Sequence, residues 1–322
     1  MTPTEAAPPR WKVVTAFAAV YLIWGSTYLA IRFAIETMPP FLMAGVRFAI
    51  AGGLLYWWAR WKGAPKPERV HWKSTTIIGG LLLLGGNGGV VWAEQRVPSG
   101  IAALVVAIVP VWIALMEWRM PGGRRPGWQV TAGLALGSLG LLLLAAPGAA
   151  SLGARVDLIG VAALLVATLC WSLGSVLSKR VPLPASPLVT TGMEMLMGGV
   201  LLLGAGLLTG ELPKVHLAEV SFRSGMALAY LIIFGALIGF TAYLWLLRVG
   251  SPTRAATYAY VNPVVAVFLG WSLAGEPISA RTIIAMAVIV GAVVLITSSR
   301  SKKPGAEPAR KTSSREALRT EY

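Results

Sequence analysis

The chain has 322 residues, 56% of them hydrophobic and only 13% charged, with a mean hydropathy of +0.70. A soluble domain cannot bury that share of apolar side chains, so lipid is the solvent for most of its surface. The formal charge of +15 does not mark a nucleic-acid binder: Lys and Arg lie in short connections between apolar runs, as the positive-inside rule requires, and not along one amphipathic face.

In chain order, Met1 to Lys12 is polar and contains prolines. The apolar run after it is too long for a cleavable signal, so the first span is expected to stay in the membrane. A crossing helix needs about 20 apolar residues. Stretches of that kind fall at 13–35, 41–61, 75–93, 98–118, 127–147, 157–178, 186–209, 225–247, 253–273 and 278–298. Breakers stand between many of them: Pro39-Pro40, Pro98, Pro121 to Gly123, Pro147-Gly148 and Pro182 to Pro187. Spans of a β-barrel would be alternating segments of about ten residues, so the expected fold is an all-α polytopic membrane protein with ten transmembrane helices. Arg300 to Tyr322 has almost nothing to bury and reads as a disordered basic tail. Cys170 lies in an apolar run and forms no intrachain disulfide, and His71 and His216 are expected in loops.

The apolar pattern repeats. At an offset of 147, Trp24 falls on Trp171, Arg32 on Lys179, Pro40 on Pro187, Gly45 on Gly192 and Gly52 on Gly199. At 153, Ala102-Ala103 meets Ala255-Ala256, Pro110 meets Pro263 and Trp118 meets Trp271. Residues 1–148 and 149–299 are therefore read as two copies of five spans each, followed by the tail 300–322. An odd number of spans turns the second copy upside down, and inverted repeats build a site near the midplane that opens to either side in turn. With the N-terminus, the even-to-odd loops and the tail on one side, Arg96, Arg155, Lys214, Arg223 and Arg281 are the basic residues of the other side. Arg32 and Arg47 lie within spans, and all remaining Lys and Arg fall on the first side, so both termini are expected in the cytoplasm.

Three runs carry a family resemblance: Trp24-Gly-Ser-Thr-Tyr28, Ala93-Glu-Gln-Arg-Val-Pro-Ser-Gly-Ile-Ala-Ala103, and Ser251-Pro-Thr-Arg-Ala-Ala-Thr-Tyr-Ala-Tyr-Val-Asn-Pro263. The chain resembles the EamA-type permeases of the drug/metabolite transporter superfamily, in their YedA-like branch, from Trp24 to about Ile296. The resemblance implies ten spans in two repeats in a bacterial inner membrane, a central cavity, and export of a metabolite, amino acid or drug-like compound.

The residues themselves propose the cavity. Phe17, Tyr21, Trp24 and Tyr28 lie on one helical face, and Thr168, Trp171, Ser175 and Ser178 follow similar spacing in the sixth span. Helix packing is the competing explanation. Tyr258 and Asn262 share a face of the ninth span, where the first copy has only Val105 and Val109. Pro110 and Pro263 are expected to break their helices. Asn87 stands between Gly85-Gly86 and Gly88-Gly89, either lining the cavity or bonding a neighbouring helix. Expected substrate contacts are thus Trp24, Tyr28, Asn87, Trp171, Tyr258 and Asn262.

Arg47 and Glu194 are repeat-equivalent, each seven residues beyond its proline. At ~1.5 Å per residue each lies roughly 10 Å deep from opposite faces of a ~30 Å core. Charges there need partners, so the two are read as a buried ion pair, a site for a charged substrate group, or a proton-coupling Glu194. Glu94, Arg96 and Glu276, at span ends, are expected to be hydrated. No nucleotide-binding loop, catalytic carboxylate pair, nucleophile elbow or metal-ligand spacing occurs in the sequence, so no cofactor, metal or enzymatic activity is expected. The implied partners are a small-molecule substrate, the lipid bilayer and, if transport is coupled, protons; the sequence sets no oligomeric state. A lipid enzyme would need clustered His, Asp or Glu at one face, and a sensor or scaffold would need more than short loops.

Overall fold

The computed structural model describes residues 8–97, 99–121, 125–145, 157–274 and 280–298. Pro98, the junction 146–156, Glu276 and the tail 300–322 lie outside the described residues. The helices are α1 (Arg10–Ala34), α2 (Pro40–Trp61), α3 (Arg69–Ala93), α4 (Ser99–Val106, then Val109–Arg119), α5 (Trp128–Ala145), α6 (Leu158–Leu177), α7 (Pro187–Leu208), α8 (Phe222–Val249), α9 (Pro252–Ala255, then Tyr258–Ala274) and α10 (Ala280–Ser298). No strand occurs among the described residues. Among the described residues, seven helices, α1 to α4 and α6 to α8, are long and apolar enough to cross a bilayer, and α5 and α10 contain shorter apolar helices. Polarity is inverted relative to a soluble protein. Leu22, Trp57, Leu142, Val166 and Val294 are exposed, while Arg47, Thr168, Ser172, Glu194 and Asn262 are buried.

Helix starts follow their local sequence. Asp157 accepts from the N–H groups of Ile159 (2.8 Å) and Gly160 (3.2 Å), Ser221 from Ser224 (3.1 Å) and Ser251 from Arg254 (3.3 Å), each satisfying an N–H that has no partner within its helix. Pro40, Pro187 and Pro252 occupy first helical positions, where the missing N–H is not needed. His71 is not a loop residue. Its Nδ1 accepts the Glu68 N–H at 3.1 Å and anchors the first turn of α3, which therefore begins at Arg69, ahead of the expected 75.

The repeat mates α2 and α7 end alike. Gly63 (φ 85°) and Gly210 (φ 71°) take the left-handed conformation. The bonds Gly63 N–H to Arg60 O with Ala64 N–H to Ala59 O, and Gly210 N–H to Leu207 O with Glu211 N–H to Gly206 O, close both helices in the same manner. The second closure delivers Glu211 to the start of α2, where its carboxylate accepts from the N–H groups of Phe41 (3.2 Å) and Leu42 (2.9 Å). Glu211 is 5% exposed, so Glu211→Ala is expected to strand two N–H groups at a helix start and destabilise the protein by about 1–3 kcal/mol. Thermal melts in detergent check this, with Glu211→Gln expected to recover part of the loss.

Backbone proximity fixes the direction of α2 against α7. Gly45 abuts Leu203, Ala49 abuts Gly199, Gly52 abuts Leu196, and Tyr56 abuts Gly192, so the two helices are antiparallel. Helices α5 and α10 pair the same way, Gly133 against Ile296 and Gly140 against Ile289. Polar contacts gather the helix ends at two faces. At one, Arg223 pairs with Glu36, Ser224 Oγ donates to Phe33 O, and Arg96 pairs with Asp157. At the other, Arg180 donates to Pro121 O, Lys179 to Gly250 O, and Glu117 accepts from Thr253 at the start of α9.

Candidate functional site: an aromatic cavity between the two halves

The middles of α3 and α8, Gly80–Gly88 and Leu231–Phe240, wind as wider π-helical turns. Such turns open a helix locally and recur at functional sites. Two long side chains bond to the second of them. Trp24 Nε1 donates to Gly235 O at 3.1 Å, and Arg47 Nε donates to Leu231 O at 3.1 Å. Glycine makes their approach possible: a Cβ on Gly235 would lie 2.7 Å from Arg47 Nη2, and one on Gly239 would lie 2.5 Å from Trp24 Nε1.

Around Trp24 the aromatic rings converge. Its ring lies 4.8 Å from Tyr258, 5.1 Å from Tyr243 and 5.5 Å from Trp171, edge-on to Tyr258 and Trp171. Edge-to-face pairs at this spacing add stabilisation beyond the area they bury. Trp171 Nε1 donates to Tyr243 Oη at 3.1 Å, and Ser175 Oγ lies 2.6 Å from the same hydroxyl. The rings of Trp24, Trp171 and Tyr258 bound a cavity also lined by Tyr28, Asn87, Thr168, Asn262, Arg47 and Phe48. The cavity volume is about 70 Å³, which restricts any occupant to a small molecule.

Trp24, Tyr28, Asn87, Trp171, Tyr258 and Asn262 therefore stand around one space. Tyr28 is hydrogen-bonded to the Asn262 side chain. Asn87 Oδ1 and Asn262 Oδ1 have no protein partner among the described residues. Tyr260 points elsewhere, its hydroxyl 3.4 Å from Leu134 O and its ring against Gly137. Pro110 does open the second segment of α4, just after the turn at 107 and 108. Pro263, by contrast, lies inside its helix, and the break in α9 falls earlier, at Ala256 and Thr257. That turn is held by Tyr21, whose hydroxyl lies 2.6 Å from Thr257 Oγ1.

Arg47 and Glu194 are both buried, but among the described residues they form no ion pair with each other. The antiparallel register explains why. Continuing it, Glu194 faces Leu54, so the two charges are offset by the length of chain from 47 to 54, ~10 Å at ~1.5 Å per residue. Arg47 turns into the cavity; Glu194 lies outside its lining, both carboxylate oxygens without a protein partner among the described residues, with Arg248 the basic group whose charge reaches it.

Glu94 was expected to be hydrated and is not. It is 8% exposed, and neither carboxylate oxygen has a protein hydrogen bond among the described residues. Asn87, Val90 and Glu94 succeed one another along one face of α3, so Glu94 sits one turn beyond the cavity wall, within electrostatic range of Tyr28 and Arg32. Burial pushes its carboxyl well above the usual range, and the charge of Arg32 pulls it back in part. A raised folded-state value means stability is fully present below the ordinary pKa of about 4.3 and is lost as pH rises toward the raised one. Glu94→Gln is therefore expected to raise the melting temperature at neutral pH, to change little in acid, and to flatten the profile between. A melting curve series across pH checks it; superimposable profiles would mean the carboxyl is solvated. Arg96, as expected, is exposed, paired with Asp157 at 3.2 Å. The Asp157 carboxyl is held below its ordinary range by the Gly160 N–H and then by Arg96.

Comparison with known proteins agrees with this architecture. The EamA-like transporter family matches residues 11–146 and again 158–298. The chain is 42% identical over 286 residues to the inner membrane transporter YedA of Escherichia coli (strain K12), covering 88% of this chain and 89% of that one. It is 24% identical over 311 residues to the transporter YvbV of Bacillus subtilis (strain 168), covering 92% and 96%. A solved crystal structure shares the fold at a TM-score of 0.69 and 23% identity, covering 89% of this chain and 97% of that one. With the family matched once in each half, the chain belongs to the EamA-like transporter family.

Proposed function

We propose that the protein exports a small organic molecule across the bacterial inner membrane by alternating access. In this reading ten spans form two inverted five-helix copies, with both termini in the cytoplasm. The observation that carries it is the meeting of Trp24 and Trp171, equivalent in the two copies, at 5.5 Å across one cavity. Further support comes from the antiparallel pairing of the mates α2 and α7 and of α5 and α10, and from π turns placed alike in α3 and α8. Rocking one copy against the other about a shared site is how inverted repeats expose it to each side. Facilitated diffusion and proton antiport are both compatible with the fold. In the second, Glu94 or Glu194 would be the titrating group, since each is a buried carboxylate without a hydrogen bond among the described residues.

Reporter fusions after Lys66, Arg124 and Lys302 are expected to read cytoplasmic, and one after Leu217 periplasmic. Efflux is tested by screening deletion and overexpression strains for tolerance to toxic metabolites, then measuring flux of the hits in liposomes. A periplasmic signal at Lys302 would remove the even span count and the inverted arrangement with it.

A further inference from the structure

Arg47 is 3% exposed. Its guanidinium is committed on one edge only: Nε bonds Leu231 O, and Cζ lies 4.5 Å over the Phe48 ring. Nη2 rests against Gly235, and Nη1 has no protein partner among the described residues. The cavity wall to which Arg47 belongs contains no Asp or Glu among the described residues, and Arg47 is its one charged member. Glu194 is displaced along α7, and Glu94 lies a turn beyond the wall. A charge in the middle of a membrane protein pairs with an opposite charge or with backbone carbonyls and marks a substrate pathway; Arg47 has one such carbonyl, and its guanidinium edge matches a carboxylate with two parallel N–H donors.

The remaining polar atoms of the wall orient such a guest. Asn87 Oδ1 and Asn262 Oδ1 are acceptors without a protein donor among the described residues; they suit a neutral donor on the body of the guest, and Arg47 is the one cation of the wall that an anionic group can meet. The rings of Trp24, Trp171 and Tyr258 offer an apolar wall for the rest of the molecule. We propose that the cavity takes a small organic carboxylate, its carboxylate on the free edge of Arg47 and its apolar body among the aromatic rings. This rests on the transporter reading above and specifies the cargo class of the same site.

The test uses the full chain in lipid nanodiscs and matched sets of acid, neutral amide and amine on one apolar skeleton. The probes are 3-phenylpropionate, 3-phenylpropionamide and 3-phenylpropylammonium, with the corresponding indole and butyl series. Tryptophan quenching and thermal shift give affinity and stability separately. The expected result is that an acid binds at least about tenfold more tightly than its own amide, with the amine weakest. Arg47→Gln is expected to erase that preference by lowering acid affinity about tenfold or more while leaving the amide unchanged; Arg47→Lys is expected to retain part of it. Should Arg47→Gln fail to fold, the acid-to-amide ratio of the wild-type chain and of Arg47→Lys still decides. Equal or tighter binding of amides or amines, or no binding by any carboxylate of the set, would overturn the assignment. Amide binding that survives Arg47→Gln would leave the carrier reading intact, whereas that reading fails if the cavity can be reached from one side of the membrane only.

Discussion

Gly192→Leu is expected to leave almost no folded protein in the membrane, and Gly52→Ala or Gly199→Ala to lower the melting temperature by several degrees. Helix α2 lies against α7 with backbone on backbone. A Cβ on Gly52 would lie 2.4 Å from Leu196 N, one on Gly199 2.5 Å from Ala49 N, and one on Gly192 2.6 Å from Tyr56 N. The atoms in the way are main chain, so relief requires the helices to separate. In lipid, close packing is what holds helices together, because lipid tails are as apolar as the side chains and supply no hydrophobic driving force between helices. Overpacking by one methyl costs about 1–3 kcal/mol, and a leucine has no room at all. Gly53→Ala and Gly204→Ala are the controls: nothing lies within 4 Å of a Cβ at either position. There the better helix propensity of alanine, worth up to about 1 kcal/mol, is expected to leave stability unchanged or raised. Parallel melts of all five variants read the contrast, and equal losses at Gly52 and Gly53 would contradict it.

Trp24→Ala is expected to abolish flux and to destabilise the fold by about 3–5 kcal/mol. Trp24 is 8% exposed, touches three other rings, and supplies the donor for the Gly235 carbonyl. Its removal opens a void and takes away the side-chain hydrogen bond to the Gly235 carbonyl. Cavity wall and helix packing thus rest on the same residue, and an alanine cannot separate them. Trp24→Phe does so better: it keeps an aromatic wall and removes Nε1–H, with an expected loss of about 0.5–1.5 kcal/mol from the lost hydrogen bond. Comparing melting temperature with apparent affinity for a transported compound in the two variants checks this. Full flux in Trp24→Ala would place the cargo elsewhere.

Much of this was legible in the sequence because it depends on composition and periodicity. Apolar runs of bilayer length mark the spans, and the offset of 147 marks Trp24 and Trp171, which the fold brings edge to face. Tyr258 and Asn262 stood out as polar groups in one copy where the other has valines. What was not legible depends on register between helices. Repeat equivalence placed Arg47 and Glu194 at equal depths from opposite faces, which already leaves ~10 Å between them along α2 and α7, but could not reveal that Arg47 enters the cavity and Glu194 does not. Glu94 sits at a helix end, where a charge ordinarily hydrates, and its burial arises from neighbouring helices distant in sequence. Tyr243, a fully buried contact of Trp24, Trp171 and Tyr258, lies in a run whose only mark is hydrophobicity. Pro263 reads as a helix breaker by its own chemistry, yet the chain turns at Ala256 and Thr257 and leaves the proline inside the helix.

Alternating exposure of the aromatic cavity is tested most directly by cysteine accessibility. Thr168 lines that cavity and is 1% exposed, and the native thiol of Cys170 is removed by Cys170→Ser. Thr168→Cys in that background is treated with a membrane-impermeant methanethiosulfonate reagent in right-side-out and in inside-out vesicles. The expected result is modification from both sides, slowed from each by a transported compound. Modification from one side only, or from neither, would contradict a cavity that opens in turn to each face of the membrane.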